Sequence, residues 1–158
     1  AYWMGYTEYR DEGIVSERPV MVGCQASGAA PFLRGHPIDD PETIASAICI
    51  GKPASWQPAK AALQFSAGAI DKVTDEEILT AYQMITAQEG IFVEPASAAA
   101  LAGIIKLQNA GKIDEGSIVV ATMTGHGLKD PDNAVEHANV EATTVEPTLD
   151  AVKAAIGI

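Results

Sequence analysis

Three stretches of this 158-residue sequence place polar groups or glycines where chemistry can take place. The first is Thr124-Gly125-His126-Gly127-Leu128-Lys129-Asp130, which directly follows a long apolar run. Its two glycines let the backbone approach a ligand closely, and Thr124 offers a hydroxyl for hydrogen bonding. The alternative is a tight turn in which the Thr124 hydroxyl is satisfied within the protein.

The second stretch is Val93-Glu94-Pro95-Ala96-Ser97. Glu94 is a candidate ligand or general acid/base, and we expect Ser97 to cap the helix that follows. The alternative for Glu94 is a surface carboxylate that interacts with the helix dipole. A third stretch, residues 43–55, has small residues that can pass close to a planar ligand, or that simply form a well-packed turn.

The histidines and lysines give weaker evidence of a chemical function. His126 lies between two glycines without a Ser or Cys nucleophile motif, so we assign it no catalytic role. His36 and His137 lie in polar segments and are expected in solvent. None of the seven lysines has a context that marks it as a covalent cofactor link, and Lys129 is expected to pair with its neighbour Asp130.

The elements that must position these stretches alternate between strands and helices. The run at 117–123 is rich in β-branched residues and is predicted to be a strand buried on both faces. Thr74 to Glu77 forms a capping box, and Thr148 caps the final helix. We predict strands at 19–25, 90–93 and 117–123, and helices at 2–9, 26–33, 56–66, 75–88, 97–109 and 149–156, with 43–50 either a short helix or a loop.

This alternation predicts an α/β fold, with part of a parallel or mixed sheet flanked by helices. In such folds ligands bind beyond the carboxyl ends of the strands, which is where the three stretches lie. A hydrophobic content of 47% and a charged content of 20% are typical of a globular domain, and we expect residues 1–158 to form one domain.

Charge and cysteine usage narrow the class of function. The net charge of −11 argues against nucleic acid or anionic membrane lipid as a partner. Cys24 and Cys49 lack a second pair or a histidine cluster, so we expect two reduced thiols and no metal site. No apolar run approaches the roughly 20 residues of a membrane helix. We expect a cytoplasmic protein that is either an enzyme acting on a small molecule or an intracellular subunit.

Four motifs in order resemble the threonine synthases, which are pyridoxal-phosphate enzymes of the tryptophan-synthase-β-like class. The resemblance weakens beyond about Glu136. The most specific motif is Thr124 to Pro131, and the other three are Gln25 to Pro31, Ile50 to Trp56 and Val93 to Ala99.

The resemblance implies a β,γ-replacement that converts O-phospho-L-homoserine and water into L-threonine and phosphate. It implies that Thr124 places a neutral hydroxyl at the pyridine nitrogen of the cofactor, within the motif that includes Gly125. Ala47 matches the small residue that passes beside the cofactor ring, and Glu94 matches a strand-end position that faces the cofactor. The family also implies a homodimer.

Some family features are missing from this sequence. The lysine that binds the cofactor covalently, an Asn at the ring oxygen and a Gly-Asn-Ala-Gly-Asn phosphate loop would all lie upstream. The chain also opens on an expected helix with no capping residue before it. We therefore interpret the chain as the C-terminal part of the large cofactor-binding domain, inactive without its missing N-terminal portion. The alternatives are a threonine or serine dehydratase of the same fold, or a non-catalytic module that binds a metabolite.

Overall fold

The computed structural model describes residues 1–137 and 143–158 of the chain. Within this part the strands are β1 (Val22–Ala26) and β2 (Ala69–Val73), and the helices are α1 (Tyr2–Asp11), α2 (Pro31–Arg34), α3 (Trp56–Phe65), α4 (Asp75–Met84), α5 (Pro95–Asn109), α6 (Pro131–His137) and α7 (Leu149–Ile156). Short 3₁₀ turns occur at Ser27–Ala29, Ser46–Ile48 and Gly127–Lys129, and a π-helical turn at Ile85–Glu89.

The sheet consists of β1 and β2, which run parallel with Val22 opposite Ala69 and Ala26 opposite Val73. Parallel strands cannot be joined by a tight turn, so the chain between them makes a crossover that carries α2 and α3. The α/β class predicted from the sequence is confirmed.

Helix α5 is the centre of the packing, because it contacts α4 and both strands. Its buried positions are mostly alanine or glycine, which let neighbouring backbones come close. At Gly103 the approach is closest: a Cβ there would lie 2.9 Å from the Cys24 Sγ. The core cluster around α5 comprises Ala26, Ala29, Ala45, Val73, Ile78, Ala81, Tyr82, Ile85, Val93, Ala96, Ala98, Ala99 and Ala102.

The start of α4 has the capping box that the sequence predicts. The Thr74 hydroxyl accepts the Glu77 N–H at 3.1 Å, and the Glu77 carboxylate accepts the Thr74 N–H at 2.7 Å. The helical path then changes to the π-turn at Ile85 and ends at Gly90, whose φ of +66° favours glycine. The predicted Thr148 cap is also confirmed, since its hydroxyl accepts the Ala151 N–H.

The strand predicted at 117–123 is wrong. These residues have no regular secondary structure, and Ile118 and Val120 are 95% and 80% exposed. A strand exists only through hydrogen bonds to a neighbour, and within residues 1–137 and 143–158 this segment has no ladder partner. Its β-branched residues are suited to a pleated, buried surface that this part of the chain does not provide.

Other boundaries differ from the predictions for local reasons. The helix expected at 26–33 is divided at Ala30, because a residue before proline is disfavoured in the helical region and Pro31 starts α2. The strand expected at 90–93 is reduced to an isolated antiparallel bridge between Val93 and His126. Strand β2 was not predicted, since Asp71 and Lys72 give it the composition of a loop.

Cys24 and Cys49 are both half-buried thiols. Burial, with a smaller contribution from the nearby Asp71 carboxylate, raises the pKa of Cys24 to about 11. Cys24 is therefore a neutral, weakly nucleophilic thiol at neutral pH, as a structural cysteine should be.

No helix in the described ranges is long and apolar enough to cross a membrane.

The packing of α5 predicts opposite effects for two Gly-to-Ala substitutions. Gly103→Ala forces a methyl group against Cys24, and we expect the strain to exceed the gain in helix propensity, with a net loss of about 1 kcal/mol. Gly5→Ala in α1 is the matched control, because its Cβ meets nothing within 4 Å and only the propensity gain remains. Equilibrium denaturation measures both; a stabilising Gly103→Ala would contradict this packing.

Candidate functional site

The 124–130 turn lies on the N-terminal end of α5. The Gly125 carbonyl accepts the Glu94 N–H at 3.0 Å, and the Phe92 carbonyl accepts the Gly127 N–H at 3.1 Å. The His126 ring makes an edge contact with Phe92, with ring centroids 5.5 Å apart. Two of the three stretches singled out in the sequence are thus in direct contact.

The third stretch joins the same turn through Asp130. Its carboxylate accepts hydrogen bonds from the Ser46 hydroxyl at 2.8 Å and the Asn133 amide at 2.9 Å. Asn133 also donates to the Ile44 carbonyl at 3.1 Å. These bonds hold the pKa of Asp130 below its usual value of 3.8, with the Ser46 bond the largest contribution. The segment around Ser46 is therefore tied to the turn.

Glu94 is buried, only 3% exposed, and occupies the N-cap position of α5. Lys129 Nζ lies 3.2 Å from Glu94 Oε2 and 3.4 Å from Oε1. A buried carboxylate is costly without a partner, and here Lys129 forms an ion pair with it at the N-terminus of α5. The predicted Lys129–Asp130 pair is wrong, because Lys129 reaches back across the turn to Glu94.

Glycine is required at position 125 because no side chain fits there. A Cβ on Gly125 would overlap the Glu94 carboxylate, and one on Gly127 would overlap the Phe92 ring. Glycine is required at both positions because the turn backbone approaches its neighbours closely, since neither Gly125 nor Gly127 has a positive φ. The glycines let the turn cover the Glu94 side chain.

Ser97 does not cap α5, and the prediction that it does is wrong. It is the third residue of the helix, 1% exposed, and its hydroxyl accepts the Gly125 N–H at 2.8 Å. Its Oγ also lies 3.0 Å from Thr124 Oγ1 and 3.3 Å from the Gly125 carbonyl oxygen. The signal for this arrangement was Pro95: proline favours the first helical position, which makes Glu94 the N-cap residue.

Thr124 and Ala47 lie at exposed positions, whereas Glu94 is buried and Gly125 half-buried. Thr124 is anchored through Ser97, and Ala47 belongs to the 3₁₀ turn that Asp130 holds. The four predicted site residues therefore lie on segments joined by hydrogen bonds, although their roles stay predictions.

His126 takes part in the turn itself. Its Nδ1 accepts the Leu128 N–H at 3.1 Å, so this nitrogen caps the 3₁₀ turn and is occupied. His36 is exposed, as expected. Across the described ranges, no group of three His, Cys, Asp or Glu side chains is placed to hold a metal ion.

The sequence model for the family described as "Pyridoxal-phosphate dependent enzyme" matches residues 3–125. The chain belongs to this family. The match includes all four predicted site residues, and it confirms pyridoxal phosphate as the family's cofactor.

The curated relatives of this chain are threonine synthases. That of Mycobacterium leprae is 54% identical over 136 residues, which are 86% of this chain and 38% of that protein. That of Synechocystis sp. is 48% identical, covering 99% of this chain and 41% of that protein, and that of Methanocaldococcus jannaschii is 43% identical, covering 97% and 40%. The chain spans about two fifths of the length of the curated relatives it matches.

Two solved structures show the same fold. The processed form of threonine deaminase isoform 2 from Solanum lycopersicum has a TM-score of 0.62 and 18% identity, covering 89% of this chain and 39% of that one. A mutant of O-ureido-L-serine synthase with bound O-ureido-L-serine has a TM-score of 0.60 and 16% identity, covering 96% and 42%. Identities this low show the fold alone.

The chemical groups on the turn and on the Ala47 segment are compatible with the ring of pyridoxal phosphate. Thr124 is an exposed residue with a neutral hydroxyl, a group that can form a hydrogen bond with a pyridine nitrogen, and this hydroxyl contacts Ser97. Ala47 presents only a methyl group, which leaves room for a flat ring. The buried Glu94 carboxylate is paired with Lys129.

The Asp130 contacts predict a pH-dependent contribution to stability. A lowered pKa means that the folded state favours the carboxylate, so the contribution is present above pH 3.8 and is lost as the pH falls through the lowered value. We expect Asp130→Ala to cost roughly 1 kcal/mol at pH 7 and clearly less at a pH below the lowered value, where the neutral carboxyl accepts weaker hydrogen bonds.

The measurement is chemical denaturation as a function of pH for the wild type, Asp130→Ala and the control Asp132→Ala, whose side chain is exposed. A cost for Asp130→Ala that stays constant down to the lowest pH would show that the carboxylate charge does not hold the turn.

Proposed function

We propose that this chain is the C-terminal part of a cytoplasmic threonine synthase, which converts O-phospho-L-homoserine and water into L-threonine and phosphate. The observation that carries the proposal is 43–54% identity to threonine synthases over 86–99% of the chain. The arrangement of Glu94, Thr124 and Gly125 at one end of α5 supports it.

Each side chain has a definite task in this proposal. Thr124 would donate a hydrogen bond to the ring nitrogen, since a neutral hydroxyl would not stabilise a positive charge there as a carboxylate does. Ala47 leaves space beside the ring, and Gly125 brings the turn down onto Glu94. Bound pyridoxal phosphate would supply the electron sink for proton removal from the substrate. The ion pair between Glu94 and Lys129 sets the electrostatic potential beneath the turn.

The remaining parts of the site belong to an upstream portion of the protein. The covalent lysine and the phosphate loop of the family are absent from this sequence. We therefore propose that residues 1–158 form one unit within the large cofactor-binding domain, and that the complete enzyme is a homodimer. By itself the chain is expected to be inactive.

A dehydratase is the principal alternative function. The likeness to threonine deaminase supports it only at the level of the fold, whereas the curated relatives at 43–54% identity are threonine synthases. A non-catalytic metabolite-binding module is a further alternative, and it requires that the full-length protein lack the covalent lysine and the phosphate loop.

Substrate specificity tests the proposed function. We expect the full-length protein, loaded with pyridoxal phosphate, to release phosphate and threonine in equal amounts from O-phospho-L-homoserine. The 158-residue chain with added cofactor serves as the control and should show no enzymatic rate. Ketobutyrate formation from threonine as the main activity would replace this proposal with a dehydratase, and inactivity toward both would favour a binding module.

The exposed 117–123 segment predicts where the upstream portion packs. Ile118 and Val120 are among the most exposed apolar residues, and beside them is a groove of about 530 Å³ lined in part by Ile104, Ile105 and Val119. Apolar surface of this kind marks an interaction site. We propose that upstream strands of the same protein cover it.

This packing makes Val120→Asp a specific test. In the full-length protein the substitution buries a charge, and we expect a loss of at least 3 kcal/mol in unfolding free energy, measured by chemical denaturation. Val135→Asp on α6 is the matched control, because Val135 is also 80% exposed in this chain but lies outside the segment and the groove. Equal, small effects of the two substitutions would show that the 117–123 segment is not covered.

A further inference from the structure

The buried hydroxyl of Ser97 contacts the Thr124 hydroxyl. Ser97 is 1% exposed, and three polar groups surround its Oγ: the Gly125 N–H at 2.8 Å, Thr124 Oγ1 at 3.0 Å and the Gly125 carbonyl oxygen at 3.3 Å. A serine hydroxyl has one proton to donate and two lone pairs. The Gly125 N–H can only donate, so it occupies one lone pair, and the single proton goes either to Thr124 or to the carbonyl.

The two choices give the Thr124 hydroxyl opposite hydrogen-bonding roles toward a ligand. If Ser97 donates to Thr124, the Thr124 proton is available on the exposed side and Thr124 is a donor there. If Ser97 donates to the Gly125 carbonyl, Thr124 must donate inward to Ser97, and it presents only lone pairs outward.

An acceptor placed beside Thr124, such as an unprotonated ring nitrogen, requires the first choice. The Ser97–Thr124 contact, at 3.0 Å, is a hydrogen bond under either choice, so only the contact between Ser97 and the Gly125 carbonyl, at 3.3 Å, separates the two. The carbonyl also already accepts the Glu94 N–H at 3.0 Å, so it does not need the Ser97 proton. A chain of donors then runs from the Gly125 N–H through Ser97 to Thr124, in which each bond strengthens the next.

We propose that Ser97 is a positioning residue that makes Thr124 a hydrogen-bond donor to an unprotonated aromatic ring nitrogen. The proposal rests on the proposed place of Thr124 at the pyridine nitrogen of pyridoxal phosphate. Ser97 does not touch the cofactor, and it acts through the orientation of one proton. The burial of Ser97 protects this orientation from exchange with water.

The test uses the full-length protein and [¹⁵N]pyridoxal phosphate, without substrate. In the wild type we expect a ring-nitrogen chemical shift typical of an unprotonated pyridine that accepts a hydrogen bond. A pyridinium shift would overturn the proposal, because Thr124 would then have to accept. This measurement can overturn the proposal even if Ser97→Ala does not fold.

Cofactor affinity gives a second readout by reconstitution of the apoenzyme. We expect Ser97→Ala to weaken the binding of pyridoxal phosphate about 3- to 10-fold, the effect of one lost hydrogen bond, and to shift the nitrogen signal toward unbonded pyridine. Ser66→Ala is the matched control, because Ser66 is also a buried serine that accepts a backbone N–H, at 3.1 Å from Met21, away from the turn. It should leave the affinity and the signal unchanged.

A double-mutant cycle separates positioning from general packing. In a Thr124→Val background, Ser97→Ala should change the affinity by less than about 2-fold, since the hydroxyl that it orients is gone. An equal loss in both backgrounds, or a loss no larger than that of Ser66→Ala, would overturn the proposal. Both readouts are independent of the substrate, so failure to make threonine from O-phospho-L-homoserine would refute the proposed function without changing this result.

Discussion

The buried carboxylate of Glu94 is the constraint on which the site depends. A charge at the N-cap of α5 that is withdrawn from water requires a cation, and Lys129 supplies it from the far side of the 124–130 turn. To make this contact the turn must cross the end of the helix, which is possible because Gly125 has no side chain to strike the carboxylate. The place of Thr124 follows from this crossing, because it precedes Gly125 directly.

Much of the fold was predictable because its signals are local. The capping box at Thr74 and the cap at Thr148 each depend on a few neighbouring residues. The break before Pro31 is equally local, but the helix expected at 26–33 did not take it into account. Strands depend on residues far away in sequence, and both kinds of error occurred there. The 117–123 run has strand composition but no strand partner among residues 1–137 and 143–158, whereas β2 has loop composition and a partner in β1.

For the site as well, features that depend on nearby residues were predictable, and contacts between distant residues were not. Glycines and a hydroxyl after an apolar run correctly indicated segments that come together. Partner choice was not predictable, because sequence adjacency favoured a Lys129–Asp130 pair while the fold gives each residue a distant partner, Glu94 and Ser46. Ser97 was misassigned although Pro95 carried the correct information.

The exposed 117–123 segment also affects how readily such a chain aggregates while it is being synthesised. Its exposed β-branched residues, and backbone groups without a ladder partner among the described residues, form a template on which a second copy can add, the first step of aggregation. In a longer protein the upstream portion leaves the ribosome before this segment, so on the packing proposed above the segment would meet a partner that is already synthesised. A chain produced without its upstream portion would leave the segment exposed.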